Sequence, residues 1–278
     1  MSAHEVPFVR LADGRAIPQL GFGTFQIAPE DTEKTVSHAL EVGYRHLDTA
    51  QMYGNEAGVG RAVAASGLSR DDVWITTKLN NAFHDRDAAI EATERSLTAL
   101  GGRIDLYLVH WPLAMHADVS RVWEVMEEIG ARPEVGSIGV SNFTSANLDR
   151  LAEVGASSPT VNQIESNPYF VNDELRAICS GRGIAVEAWS PLAQGAVFDD
   201  PQLTALAQQL GRTVSQVVLR WTLQRGDIVF PKSSDPARMR ENLDVFDFEL
   251  TDEQMTAISA LHTGTRSGPD PDVFDWRG

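Results

Sequence analysis

Four side chains able to hold or move a proton follow three consecutive β-type runs. Asp48 and Tyr53 lie in Asp48-Thr49-Ala50-Gln51-Met52-Tyr53-Gly54-Asn55-Glu56, directly after Tyr44–Leu47. Lys78 ends the run Val73–Thr77, and His110 ends Ile104–Val109. A tyrosine titrates near 10 and is a poor acid at neutral pH. A close opposite charge commonly moves a pKa by about one to three units, so Lys78 is expected to lower that of Tyr53. A lysine at a strand end is costly to bury unless paired, and Asp48 is the obvious counter-ion. His110 would then hydrogen-bond a substrate oxygen and steer it toward Tyr53. General acid catalysis of this kind is commonly worth about 10²–10⁴-fold. No side chain here delivers a hydride, so a reduction needs a cofactor. Taken singly, Asp48 also fits a helix cap, Tyr53 packing, Lys78 a solvated end and His110 a rim histidine. Their joint placement is what favours chemistry.

These residues need a scaffold that brings several strand ends together. Apolar β-type runs occur at Gln19–Gly23, Tyr44–Leu47, Val73–Thr77, Ile104–Val109, Ser137–Val140, Thr160–Ile164, Ala185–Trp189 and Ile228–Phe230. Helical stretches alternate with them at Asp31–Val42, Asp85–Leu100, Val119–Ile129, Ser145–Val154, Asp173–Cys179, Val214–Leu223 and Pro236–Leu243. Such alternation indicates a parallel sheet with right-handed crossovers, and eight strands favour a closed (β/α)₈ barrel, an α/β fold. Val6–Leu11 and Arg15–Pro18 flank Ala12-Asp13-Gly14, a β-hairpin signal ahead of the barrel. Pro201–Leu210 and Thr251–Leu261 are two extra helices. No linker or composition break divides residues 1–278, which read as one domain. Its tail, 263–278, is rich in Gly, Pro and Asp and is placed near the barrel mouth. GxGxxG is absent: Gly21-Phe22-Gly23-Thr24 holds only GxG, read as a tight strand-end turn, so an open dinucleotide fold is disfavoured.

The chain has 278 residues, a formal charge of −16 and one cysteine. The negative field disfavours nucleic acid and anionic membranes as partners. Cys179 has no partner thiol, which fits a reducing compartment. The N-terminus lacks a signal-peptide pattern, and no apolar run reaches 18 residues, so the cytoplasm is expected. An anionic ligand would need a local positive site, and Lys232, Ser233, Arg238 and the start of the Pro236 helix form one. The alternative there is an exposed basic helix end.

Across nearly its whole length, from Gly21-Phe22-Gly23-Thr24 to Phe248-Glu249-Leu250-Thr251, the chain resembles the aldo-keto reductases. It is most similar in appearance to prokaryotic 2,5-diketo-D-gluconate reductase-like members. Gly43-Tyr44-Arg45-His46-Leu47-Asp48-Thr49-Ala50 and Ile138-Gly139-Val140-Ser141-Asn142-Phe143 carry the likeness, as does the Pro271-Asp272-Val273-Phe274 tail. The resemblance implies a catalytic tetrad of Asp48, Tyr53, Lys78 and His110. It implies NADP(H) bound by Ser141, Asn142 and Gln163 at the carboxamide, with Trp189 stacked on the nicotinamide. Ser190, Leu192, Gln194 and Gly195 would pass the pyrophosphate, Lys232, Ser233 and Arg238 would hold the 2′-phosphate, and Glu241 and Asn242 would meet the adenine. Asp235 is expected to sit beside that phosphate and oppose it. The implied activity is reduction of aldehydes, ketones, keto-sugars or dicarbonyls by a monomer.

Phe22, Phe25, Met52, Asn80 and Trp111 are candidate substrate-pocket residues, with Phe274 and Trp276 from the tail. Each fits core filling as well. Asn80 stands where relatives usually carry tryptophan, which predicts a wider or more polar pocket. Asn167 replaces a usual histidine, and Ala131–Ser137 departs from the usual pattern on the expected non-catalytic face. A non-catalytic NADPH-binding relative remains an alternative. So does a lyase using Lys78 as a Schiff base, which would leave Lys232, Arg238 and Trp189 without a purpose. A metal enzyme is disfavoured because His46 and His110 follow no ligand spacing.

Overall fold

The computed structural model describes residues 5–116 and 118–277. β1 (Phe8–Arg10) and β2 (Ala16–Pro18) form an antiparallel hairpin with Val9 opposite Ile17. Next come β3 (Phe22–Gly23), α1 (Pro29–Val42), β4 (His46–Asp48), α2 (Glu56–Ala65), β5 (Trp74–Leu79) and α3 (Arg86–Ala99). β6 (Ile104–Val109), α4 (Val119–Gly130), β7 (Val135–Ser141), α5 (Ser145–Glu153), β8 (Val161–Glu165) and α6 (Asp173–Gly181) follow. The chain continues with β9 (Ala185–Trp189), α7 (Pro201–Leu210), α8 (Val214–Gln224), β10 (Ile228–Val229), α9 (Pro236–Leu243) and α10 (Asp252–Ser259). β3 to β10 pair in parallel in sequence order. Leu20 bridges Val229, with Gly21 N–H donating to the Val229 carbonyl at 2.8 Å, so the ends meet and the sheet is a (β/α)₈ barrel. α7 and α10 are the two extra helices. No helix among the described residues is long and apolar enough to cross a membrane.

Local chemistry sets these boundaries. Pro29 opens α1 where no N–H is needed, two residues ahead of the predicted Asp31 start. Asp200 and Asp235 cap α7 and α9, each followed by proline. Capping boxes pair Thr213 with Gln216 on α8 and Thr251 with Gln254 on α10. Gly21 and Gly23 do not make a turn. A Cβ at Gly21 would lie 2.7 Å from the His46 ring, and one at Gly23 would lie 2.8 Å from the Phe230 carbonyl. They let the closing strands approach.

The sequence periodicity missed α2, whose Gly58 and Gly60 weaken its helical pattern. Packing explains both: a Cβ would meet Thr32 of α1 at 2.8 Å from Gly58, and the Ala99 carbonyl at 1.9 Å from Gly60. At the barrel's lower end, Leu11 and Ile17 of the hairpin pack with Leu106, Leu108, Val161 and Ile228. Ser137 Oγ donates to Asp13 at 2.6 Å and ties the hairpin to β7. Gly136, in the segment that departs from relatives, passes under Asp105, where a Cβ would approach its carbonyl to 2.4 Å. That segment therefore serves the floor.

Gly60→Ala should lower stability by roughly 2 kcal/mol or more, because a backbone carbonyl cannot move aside as a side chain can. Gly181→Ala, at the open end of α6, should instead raise it by roughly 0.5–1 kcal/mol. Urea unfolding of the two variants checks the contrast.

Candidate functional site

The upper interior of the barrel is polar. Asp48 ends β4, and its register with Thr76 sets β5 so that Lys78 turns inward beside it. Lys78 is completely buried. Its Nζ donates to both Asp48 carboxylate oxygens at 2.8 Å and to the Thr49 carbonyl at 2.9 Å. The same nitrogen lies 3.4 Å from Tyr53 Oη. Burial works against the Lys78 charge, yet Asp48, Tyr53 and Glu187 outweigh it and raise its pKa. For Tyr53 the balance is different from the expectation: burial raises its pKa more than Lys78 lowers it, and Asp48 adds to the rise. The phenol is thus kept protonated, with the ammonium placed to stabilise its conjugate base.

Tyr53 sits on the single turn Gln51–Tyr53, half-buried, and neighbours that turn hold it. Gln51 Oε1 accepts from the Asn80 N–H at 2.8 Å, and its Nε2 donates to Ser96 Oγ and Tyr107 Oη at 2.9 Å. Asn55 accepts from Thr49 Oγ1 and donates to the Thr24 and Ile27 carbonyls. Glu56 accepts from Thr77 Oγ1 at 2.6 Å, and burial raises its pKa. His110, after β6, meets Tyr53 edge-on with ring centroids 5.8 Å apart. Its Nδ1 is buried without a partner among the described residues. Burial first, then Lys78, holds its pKa well below the usual value, so the ring is neutral.

Ser141 Oγ donates to the Gln163 carbonyl at 3.0 Å. Asn142, at φ 62°, donates to the His110 carbonyl at 3.0 Å and accepts from Trp189 Nε1 at 2.9 Å. Gln163 Nε2 donates to Asp48 at 2.8 Å and to Glu187 at 2.7 Å. The predicted catalytic and carboxamide groups therefore form one connected network. Ser190 and Gln194 have positive φ, as has Gly195, so the loop containing Leu192 turns sharply after β9. Lys232 and Arg238 are exposed, and neither forms a salt bridge among the described residues. Lys232 borders a cleft of about 420 Å³ that Lys34 and Pro236 also line. Ser233 accepts from the Asp235 N–H at 3.1 Å. The Asp235 carboxylate is the N-cap of α9, bonded to the Ala237 N–H at 2.7 Å, which accounts for an acid there. Glu241 accepts from Thr213, and Asn242 is buried.

Of the pocket candidates, Phe22 is not at the mouth. It is 1% exposed and packs on Tyr44 within the core. Phe25 is exposed and lies 5.1 Å from the Tyr53 ring, and Met52 is half-buried beside it on the turn. Trp111 stacks on Phe274 of the tail at 4.0 Å. Asn80 uses its Oδ1 to bond the Ala82 N–H at 3.0 Å, so its carboxamide caps a turn. Asn167 does likewise, accepting from the Tyr169 and Phe170 N–H groups.

Sequence reasoning missed how the tail is fastened. Glu165, at the end of β8, accepts from Ser267 N and Oγ, both at 2.5 Å. Gln194 donates to the Ser267 carbonyl, and Asn81 to that of Trp276, each at 2.8 Å. Gly268 crosses Trp189 so closely that a Cβ would lie 2.4 Å from the ring. Glu187 was missed too, although an acid within the short strand Ala185–Trp189 has to find a buried partner.

A protonated phenol backed by an ammonium, in the mouth of a (β/α)₈ barrel, has the chemistry needed to give a proton to a substrate oxygen. The Aldo/keto reductase family model matches residues 19–263, and the chain belongs to that family. An aldo-keto reductase of Mycolicibacterium smegmatis is 45% identical over 273 residues, 98% of this chain and 99% of that protein. Methylglyoxal reductase DkgA of Yersinia pestis is 46% identical over 271 residues, 96% of this chain and 97% of the relative. The crystal structure of a Gox0644 mutant in complex with NADPH superposes with a TM-score of 0.94 at 37% identity, over 98% of this chain and all of that one.

Burial, above all, holds His46 at about 3 and His84 at about 4. Both, with His110, should remain neutral at pH 5.5 when ring nitrogens are read by NMR, since depressed pKa values leave the neutral form in place above them. An imidazolium at position 110 would contradict the electrostatics described.

Proposed function

We propose that the chain reduces small aldehydes and ketones with NADP(H), with Tyr53 as proton donor and the whole chain working as one domain. The observation that carries the reading is the Lys78 ammonium, held by Asp48 at 2.8 Å and reaching Tyr53 Oη at 3.4 Å. Tyr53 gives its proton to the carbonyl oxygen as that oxygen gains negative charge. Lys78 stabilises the phenolate left behind, and Asp48 keeps Lys78 charged and in place. Neutral His110 donates a hydrogen bond to the same oxygen and orients it.

The residues present fit a phosphorylated nicotinamide cofactor. Asn142, Gln163 and Ser141 converge beside Trp189, and Lys232 and Arg238, without salt bridges among the described residues, stand at the capped start of α9, where a dianion would be held. When bound, NADPH supplies the hydride that no side chain can. The relative named methylglyoxal reductase makes small dicarbonyls the first substrates to test. The aromatic lining supports that choice, with Phe25 beside Tyr53 and with Trp111, next to His110 in the chain, stacked on Phe274. The lone buried cysteine fits a reducing, cytoplasmic setting, and we take the working form to be a monomer.

Tyr53→Phe should lower turnover of a dicarbonyl by at least about 10²-fold while NADPH binding, read by fluorescence, stays within a few-fold. Wild-type-like turnover would remove Tyr53 from its role. Arg238→Ala should weaken NADPH binding far more than NADH binding. Equal losses would show that no 2′-phosphate is held there.

A further inference from the structure

Glu187 is a carboxyl group of the barrel interior that the proposed chemistry does not use. Glu187, on β9, is completely buried, and its Cα partners across the sheet are Gln163 of β8 and Ile228 of β10. Its Oε2 accepts from Gln163 Nε2 at 2.7 Å, while its Oε1 is buried with no partner among the described residues. The same Gln163 nitrogen donates to Asp48 at 2.8 Å. Asp48 is bound by Lys78, so the carboxylate oxygen facing Gln163 demands a donor. That places the NH₂ group between two carboxyl oxygens and uses both of its hydrogens. The Gln163 amide oxygen is left as the free end.

We propose that Glu187 is a positioning residue, carried as a neutral carboxylic acid, which locks the Gln163 amide with its oxygen free for a bound carboxamide and leaves Lys78–Asp48 beside it as an undisturbed charged pair. This rests on the reading of the site as an NADP(H)-dependent reductase site. Two features make the neutral form the stable one. An oxygen with neither solvent nor partner is far more costly as part of an anion than as a hydroxyl. The charged groups facing Glu187 are Asp48 from β4 and Lys78 from β5, and that single cation is already held by Asp48. Gln163 and Ile228, on either side, carry no charge, and His46 on β4 is neutral.

Burial, then Asp48, raises the Glu187 pKa to about 8. The sign of the consequence follows. Below that pH the acid keeps its proton, and Lys78 is shared between one carboxylate and the phenol. Above it, a second anion competes for the same ammonium. The phenolate formed at Tyr53 is then less stabilised, and proton donation slows. Glu187 would set an alkaline limit on the reaction without touching the substrate.

The test compares wild type with E187Q, which is neutral and keeps an acceptor for Gln163, and with E187L, which keeps neither acceptor nor charge. Infrared spectra of the cofactor-free proteins should show a protonated carboxyl band in wild type at pH 6.5. That band should fade by pH 9.5 and be missing from E187Q. The alkaline limb of kcat for a dicarbonyl should shift upward by at least one pH unit in E187Q. E187L should lose at least tenfold in NADPH affinity, with E187Q restoring most of it, thermal unfolding confirming that both are folded. No carboxyl band in wild type, an unchanged limb in E187Q, or equal NADPH affinity in E187L and wild type would each overturn the proposal. The infrared and affinity readouts do not depend on Tyr53, so a failure of the proton-donor reading in Tyr53→Phe would be seen separately.

Discussion

A charged ammonium in a protein interior is tolerable only where its lost hydration is replaced, and Lys78 meets that condition with three oxygens at 2.8–2.9 Å. Breaking one side of such a buried pair commonly costs about 3–5 kcal/mol, since the remaining charge stays buried and unpaired. The upper barrel is organised around that constraint. Asp48 has to end β4 where Lys78 comes near the end of β5, and the parallel register of His46 with Trp74 and Asp48 with Thr76 secures it. A slip of one residue would turn Lys78 outward, because side chains alternate along a strand. The site and the sheet register are therefore the same specification.

Around the pair, several polar groups are committed in turn. Gln163 bridges Asp48 to Glu187, Asn142 links the His110 carbonyl to Trp189, and Gln51 ties the Tyr53 turn to the strand end at Asn80. Tyr53 itself is left half-buried, with its hydroxyl group near the one cation. Rigidity lies in the supports, and the reacting group remains accessible. The raised Tyr53 pKa suits this division, since a proton donor has to hold its proton until the substrate oxygen needs it.

The positive charges are divided as well. The chain has only three lysines, Lys34, Lys78 and Lys232. Most arginines are engaged by carboxylates, such as Arg70 with Asp105 and Arg176 with Asp227. Lys232 and Arg238 stay unpaired among the described residues, in a protein whose overall field is negative. An anion drawn to this surface thus finds a local positive site. Over the mouth, Glu165 and Gln194 hold Ser267, so the tail lies against both the β9 loop and Trp189.

The barrel, its two extra helices, the hairpin and the placement of Asp48, Tyr53, Lys78 and His110 after neighbouring strands were legible in the sequence, because strand runs, proline and acid caps, and groups at strand ends are local signals. The Lys78–Asp48 pairing was legible too, since burial leaves a lysine few choices. Other features depended on distances between elements remote in the chain. α2 is a helix because Gly58 and Gly60 let it press against α1 and α3, a benefit invisible in its own periodicity. Phe22 reads as a pocket residue until Tyr44 is seen packed on it. The direction of the Tyr53 shift turned on burial, which only the folded chain defines, and not on the charge whose presence the sequence announced. Glu187 was visible as an acid in an apolar strand, but its partner lies on another strand, and only the closed sheet brings Gln163 to it.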